Sequence, residues 1–214
     1  EDMLEEFRAL GGTADNICLR NGIYGRGVFP VDPAKPIAIH VPESLLIDTA
    51  DARFEDGRFR VGPESKANAR ERAFLETYEN DFSWGAGGRA ETEQILEQVQ
   101  ALPAGLRETL RSEYRFGDWF EEPGDRVVQT QFMDARCMSY RGRTALMPLL
   151  ELINHDPHSA IGHRSDTQNG LAIRGTFSGE VLVRYSDTDA FGAFASWGFA
   201  SEQPQAFSIA LKSE

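Results

Sequence analysis

The chain has 214 residues, of which 41% are hydrophobic and 10% aromatic, so it can build a packed core and is not broadly disordered. Its 34 acidic and 22 basic residues give a formal charge of −12, which disfavours direct binding to nucleic acid and favours a basic partner. There is no run of ~18 apolar residues that would span a membrane. The acidic start "EDMLEEFRAL" does not fit a signal peptide, so we expect a cytoplasmic protein, or a nuclear one if the source is eukaryotic.

Residues 16 to 47 have the pattern of β structure. In "PIAIHVP" the residues Ile37, Ile39 and Val41 alternate with smaller or polar ones, and prolines bracket the run. The preceding "NGIYGRGVFP" has glycines at positions 22, 25 and 27. This spacing predicts either a tight turn between strands or a backbone that approaches a ligand closely.

Helical spacing begins beyond this region. Phe74 and Tyr78 are four residues apart, and Leu96 and Val99 are three apart. The segment "WGAGG" at 84 to 88 predicts a loop between two of the helices. We interpret residues from about 64 to about 130 as a helical insertion in a single domain that spans residues 1 to 214.

The last third returns to β structure in "GLAIRGTF" and "GEVLVRYS". Before these strands, apolar residues recur with helical spacing and predict a short apolar helix that ends at Asn154-His155; they are Leu146, Leu149, Leu150 and Ile153. A last helix, capped by Asp187 or Asp189, is predicted to carry Phe191, Phe194 and Ala195 inward.

Three of the four histidines, His155, His158 and His163, lie close together. A zinc site needs three or four convergent ligands, but Pro157 keeps the first two off a common helical face. We therefore predict no metal site, and a small metal-dependent hydrolase built on these histidines is the least favoured function. The distant Cys18 and Cys137 match no zinc spacing and are predicted to be free thiols.

Three blocks, in order, resemble SET-domain methyltransferases, of the branch that contains the Rubisco large-subunit lysine methyltransferase. They are "GIYGRGVFP" with "IAIHVPESLLI", then "ALMPLLELINHD", and finally "GEVLVRYSDTDAFGAFASWGFA". The resemblance covers roughly residues 15 to 200. It implies an α+β fold, mostly β, with short strands, a helical insertion and a threaded, pseudoknot-like closing segment.

The resemblance also implies a cofactor, S-adenosyl-L-methionine, and a protein substrate methylated on a lysine nitrogen. Tyr185 would be the catalytic tyrosine, and Glu151 and Trp197 would lie on the substrate side. The residues that would contact the cofactor are Tyr24, Gly25, Arg26, Gly27, Arg136, Asn154, His155 and Phe199.

Two of the departures of the chain from the pattern of this branch bear on its function. Asp156 follows the Asn-His pair in place of a small polar residue, and Trp197 replaces the tyrosine of a Tyr-Gly-Phe block. The indole removes a hydroxyl group from the expected substrate pocket, which leaves histidine open as an alternative acceptor. The departures also motivate a second function class, a SET-like module that binds a peptide but has lost catalysis.

Overall fold

The computed structural model of the protein describes residues 2–113, 119–120, 122–162, 164–166, 169–185 and 190–199. The chain divides into two compact units. The first unit comprises the chain up to Phe82 together with Cys137–Tyr185, and the second comprises Ser83–Arg136 with the segment that begins at Ser186. Each unit is described by itself.

The first unit holds the described strands, which are short. In chain order they are β1 (Thr13–Asp15), β2 (Ile17–Gly22), β3 (Gly25–Pro30), β4 (Ile37–Pro42), β5 (Ile47–Asp48), β6 (Ala52–Glu55), β7 (Arg58–Val61), β8 (Cys137–Tyr140), β9 (Arg143–Leu146), β10 (Asn154–His155), β11 (Arg164–Asp166), β12 (Gly170–Gly175) and β13 (Leu182–Val183). They form several small sheets, the largest in the order β1-β4-β12-β11. The prediction of a mixed fold with short strands is confirmed, but the prediction that it is mostly β is wrong, because helix (42%) exceeds strand (28%) in the described residues. The threaded closing segment stays a prediction.

Strand β4 lies in the centre of the largest sheet and pairs with β1 and β12, both antiparallel. Its side chains alternate between buried and half-buried, with Ile37, Ile39 and Val41 on the buried face. Because successive side chains of a strand point to opposite faces, one face of β4 contributes to the core of this unit. The alternation in the sequence therefore predicted this strand correctly.

Strands β2 and β3 form an antiparallel hairpin whose last pair is Gly22 with Gly25. The two residues of the loop are exposed: Ile23 is 87% exposed and Tyr24 is 57% exposed. Gly25 has a φ of +89°, a backbone conformation that costs a glycine little and other residues more. The predicted tight turn between strands is confirmed, and the side chains of Ile23 and Tyr24 at its tip are exposed to solvent.

The first unit also contains helices α1 (Asp2–Ala9) and α2 (Ala69–Phe82). A capping box starts α2: the Asn68 side chain accepts from the backbone N–H groups of Arg70 and Glu71, and Glu71 Oε2 accepts from the Asn68 N–H. Along the buried side of the helix, the rings of Phe74 and Tyr78 stack with centroids 6.1 Å apart. The helix is tied to strand β7 by Asn80, whose Oδ1 accepts from the Phe59 N–H and whose Nδ2 donates to the Phe59 carbonyl.

The second unit is helical in its described residues. It contains α3 (Arg89–Gln100), α4 (Ala104–Glu113), α5 (Gly124–Asp134) and α6 (Ala190–Trp197). The "WGAGG" segment is a wide helical turn in which Gly87 has a φ of +120°, so it interrupts the helices as predicted. Helices α2 to α5 lie between β7 and β8, over residues 69 to 134.

The last predicted helix is present. Helix α6 begins at Ala190, and the predicted capping residues Asp187 and Asp189 lie outside the described residues.

Within the described ranges, no helix combines the length and the apolarity needed to cross a membrane.

Candidate active site

The Asn154-His155 pair lies on strand β10, which runs parallel to β13. In this pairing Asn154 is opposite Leu182 and His155 is opposite Val183. The Asp156 N–H donates to the Val183 carbonyl at 3.0 Å and extends the ladder by one bond. Parallel strands cannot be joined by a tight turn, so this pair brings together two segments that are distant in the sequence.

Tyr185 follows β13 and makes two hydrogen bonds back to the first segment. Its hydroxyl donates to the Ile153 carbonyl at 2.5 Å, and its backbone N–H donates to Nδ1 of His155 at 3.1 Å. The two rings are 5.1 Å apart between centroids. Tyr185 is thus held at both its main chain and its hydroxyl by the two residues that flank Asn154.

His155 is half-buried, and its burial lowers the pKa of the imidazole. The Val183 backbone and the Asp156 carboxylate act in the opposite direction but do not cancel the effect of burial. Since Nδ1 accepts a hydrogen bond, the neutral imidazole carries its proton on Nε2. His155 is therefore a neutral positioning group near pH 7.

The Asn154 side chain reaches the β2–β3 hairpin. Its Nδ2 donates to the Arg26 carbonyl at 3.1 Å and to Oε1 of Glu180 at 2.6 Å. The hairpin and β10 thus meet at one amide. Gly27 permits this meeting, since a Cβ there would overlap the Glu180 carboxylate and lie 3.2 Å from Asn154 Nδ2.

Glu180 was missed by the sequence analysis. It lies two residues before β13, is half-buried, and its carboxylate packs against Gly22 and Gly27. Two glycines on the adjacent strands of one hairpin are a sequence signal of a close approach. The sequence does not show which side chain makes that approach, because Glu180 lies 153 residues beyond Gly27.

The segment that leads to Asn154 differs from the prediction. The predicted apolar helix over residues 146 to 153 is wrong: β9 ends at Leu146, and a single 3₁₀ turn follows at Leu150–Leu152. Pro148 explains the failure, because a proline disfavours helical backbone at the residue before it. The four apolar residues that gave the helical spacing are nevertheless fully buried; they are Leu146, Leu149, Leu150 and Ile153.

Leu149 has a φ of +67°, which is strained for a side chain of its size. Tyr78 of α2 holds this turn, since its hydroxyl oxygen accepts from the Leu149 N–H at 2.9 Å. The same hydroxyl donates to Oε1 of Glu151 at 3.1 Å. Burial raises the pKa of Tyr78, and the nearby carboxylates of Glu151 and Glu79 raise it further, so the hydroxyl keeps its proton.

Of the other two histidines in the predicted cluster, the structure describes His158. The carboxylate of Asp156 accepts from the His158 N–H at 2.8 Å, which makes a local turn. Within the described ranges, no group of three or more His, Cys, Asp or Glu side chains is arranged to hold a metal ion. The third member, His163, lies outside the described residues.

Three predicted site residues belong to the second unit. The Arg136 guanidinium lies over the Phe132 ring at 4.1 Å from its centroid. Trp197 and Phe199 stack with centroids 6.0 Å apart and rings inclined by 20°. The first unit holds the other predicted residues, and Asn154, His155, Tyr185 and the main chain of Arg26 are in contact there. The roles assigned to Arg136, Trp197 and Phe199 stay predictions.

The fold is that of the SET domain. One solved structure that resembles the chain is the Rubisco LSMT bound to AdoMet, with a TM-score of 0.54 and 17% identity. Another is the SET domain of LSMT bound to lysine and AdoHcy, with a TM-score of 0.49 and 16% identity. Each comparison covers 94% of this chain and 56% of the other, so the chain spans little more than half the length of either.

The similarity at a TM-score of 0.54 establishes the fold and nothing beyond it. No protein-family model matches the chain, and no curated protein matches it significantly. The chemistry of the site must therefore be argued from its own residues.

Proposed function

We propose that the protein is an S-adenosylmethionine-dependent methyltransferase that modifies a lysine side-chain nitrogen of a basic protein. The observation that supports this most is the parallel pairing of β10 with β13. It places Tyr185 against Ile153 and His155, while Asn154 reaches the glycine hairpin. A catalytic tyrosine, an Asn-His pair and a glycine turn thus meet in one unit of a SET fold.

The residues present fit the cofactor. Asn154 uses only its Nδ2 in hydrogen bonds to the described residues, so its Oδ1 is available to accept a hydrogen bond from a ligand. At the hairpin, a Cβ placed on Gly25 would meet no atom within 4 Å, so the backbone there is open to a ligand. Tyr24, Gly25, Arg26 and Gly27 would hold the cofactor largely through main-chain groups, and Asn154 and His155 would complete the site.

When bound, S-adenosylmethionine supplies a methyl carbon whose bond to sulfur breaks as the substrate nitrogen forms the new bond, so positive charge passes from sulfur to nitrogen. The substrate amine must first lose a proton. For a lysine with an ordinary pKa this costs about 4 to 5 kcal/mol at pH 7. An apolar environment and a nearby cation both lower that cost, because they disfavour the ammonium form.

Tyr185 orients the amine in this proposal. Its hydroxyl proton is donated to the Ile153 carbonyl, so toward a substrate N–H the hydroxyl oxygen would act as the acceptor. An amine held in this way directs its own lone pair away from the tyrosine. Positioning of this kind suits a methyl transfer, in which alignment contributes more than acid–base groups do.

The partner is proposed from charge. A protein with a formal charge of −12 attracts a basic segment and repels nucleic acid, and we place the reaction in the cytoplasm, or in the nucleus of a eukaryote. Asp156, one of the departures from the family pattern, is used in a local turn with His158. That structural use gives no reason to assign the chain to a binding module without catalysis.

The test is a calorimetric titration of S-adenosylmethionine into the wild-type protein, Asn154→Ala and Tyr185→Phe. We expect micromolar binding to the wild type and at least tenfold weaker binding to Asn154→Ala, a loss of about 1.4 kcal/mol or more. Tyr185→Phe should bind the cofactor as the wild type does but lose methyl transfer to a lysine-rich peptide. Tyr140→Phe, which alters a buried tyrosine elsewhere in the first unit, is the matched control.

Absence of both heat and thermal stabilisation at millimolar cofactor would refute the methyltransferase. Binding without transfer to any basic peptide would favour the SET-like binding module instead.

A further inference from the structure

The Glu180 carboxylate lies where the β2–β3 hairpin contacts strand β10. It packs against Gly22 and Gly27, and Oε1 accepts from Asn154 Nδ2. No arginine or lysine of the described chain forms an ion pair with it, in contrast to Glu43 and Glu76, which contact arginines. The only group that satisfies the Glu180 carboxylate by a direct hydrogen bond from the described residues is a neutral amide.

Glu180 is half-buried, so its carboxylate is partly removed from water. Removing a charge from water has a cost that is commonly offset by a cation or by several hydrogen bonds. Glu180 has one such bond, and it lies against the two segments of chain to which the proposed function assigns the cofactor. The charge is therefore placed where a cationic ligand would complement it.

Resting on the proposed function, we propose that Glu180 is a specificity-determining residue, which fixes the Asn154 amide and makes the site favour a cationic sulfonium cofactor over its neutral demethylated product. The amide is fixed because Nδ2 is shared between Glu180 and the Arg26 carbonyl, so Oδ1 faces away from both. The charge acts beyond this contact, because electrostatic attraction does not require the two groups to touch.

The preference has a consequence for turnover. Methyl transfer moves the positive charge from sulfur to the substrate nitrogen, and the sulfur of the product is a neutral thioether. The attraction of Glu180 for that position is then lost. S-adenosylhomocysteine would therefore dissociate more readily than S-adenosylmethionine. A lower concentration of S-adenosylmethionine would then be enough to displace the bound product.

The experiment compares three ligands by calorimetry: S-adenosylmethionine, S-adenosylhomocysteine and the analogue with a primary ammonium in place of the sulfonium. They are titrated into the wild type and into Glu180→Gln, which keeps an acceptor for Asn154 but removes the charge. Glu55→Gln is the control, because it changes the net charge equally at an exposed residue of β6.

We expect Glu180→Gln to weaken both cationic ligands about tenfold, equivalent to about 1.4 kcal/mol, and to change the affinity for S-adenosylhomocysteine less than twofold. Glu55→Gln should leave all three affinities unchanged. Equal weakening of all three ligands by Glu180→Gln would overturn the inference and leave a purely structural role. Unchanged affinities would overturn it as well.

The wild-type titration separates this inference from the proposed function. A wild type that binds none of the three ligands refutes the methyltransferase itself. If Glu180→Gln does not fold, as judged by its thermal unfolding, the wild type still tests the preference of the site for a cationic ligand. Tighter binding of both cationic ligands than of S-adenosylhomocysteine supports the charge preference, and equal binding of the three rejects it.

Discussion

The hydrogen bond between the Tyr185 N–H and the His155 imidazole depends on the protonation state of that imidazole. Nδ1 of His155 accepts from the Tyr185 N–H, so protonation of that nitrogen would replace an acceptor with a donor facing another donor. Burial lowers the pKa of His155 and keeps the imidazole neutral. The position of the proposed catalytic tyrosine is thus linked to the charge of a neighbouring histidine.

This linkage predicts a pH dependence of stability. The unfolded histidine has a pKa of about 6.5, and in the folded protein the pKa is lower. Below about pH 6.5 the unfolded chain therefore binds the proton more readily than the folded protein. The contribution of His155 to stability is present above that pH and is lost as the pH falls through the folded-state pKa.

His155→Asn is the variant that isolates the effect. Asparagine keeps an acceptor at the position of Nδ1 but does not titrate. Chemical denaturation at pH 5, 6, 7 and 8 should show the wild type losing more stability below pH 6.5 than His155→Asn does. Parallel stability curves for the two proteins would mean that His155 has the same pKa when folded and unfolded.

At the scale of elements, the turn before β10 is held from helix α2. Leu149 has a strained positive φ, and its N–H and the Glu151 carboxylate both bond to the buried Tyr78 hydroxyl. Strained backbone persists when its surroundings determine its conformation. Tyr78 thus fixes the direction in which the chain enters β10, through bonds to residues five and three positions before Asn154.

Tyr78→Phe should accordingly destabilise the protein by about 2 kcal/mol, because it leaves a buried N–H and a carboxylate without their partner. Tyr140→Phe is the control: it removes a hydroxyl that makes only a long 3.4 Å contact with Glu43, and it should cost less than about 1 kcal/mol. Denaturant unfolding measures both. Equal losses in the two variants would show that the Leu149 turn does not depend on the hydroxyl.

The elements also show how far the sequence can be interpreted. Strand β4 and the β2–β3 hairpin follow from local patterns, alternation in one and glycine spacing in the other. The turn at Leu149 does not, because its helical spacing arises from burial on all sides and a tyrosine 71 residues away fixes its backbone. Likewise, Asn154 was predicted from a motif, whereas its hydrogen-bond partner Glu180 is identified only by the fold.

At the scale of the whole molecule, charge is the property that bears on the partner. The chain carries 34 acidic and 22 basic residues. The arginines of the described surface are often in exposed ion pairs, such as Arg70 with Glu6 and Arg111 with Glu108. Such pairs contribute little to stability. They neutralise part of the positive charge, so the excess of carboxylates determines the electrostatic potential around the molecule.

The excess of negative charge predicts that recognition of a basic substrate weakens with salt. Raising sodium chloride from about 50 to 300 mM shortens the screening length and should raise KM for a lysine-rich peptide several-fold. The effect on kcat should be under about twofold, because long-range attraction governs encounter more than the bound geometry.

The matched substrate is a peptide with the same acceptor lysine and its other basic residues replaced by serine. Steady-state kinetics at the two salt concentrations should show a high KM that hardly changes for this peptide. If both peptides respond equally to salt, attraction by the acidic surface is not what selects the partner. In that case selection must come from contacts around the acceptor lysine, and the peptide sequence next to it becomes the variable to change.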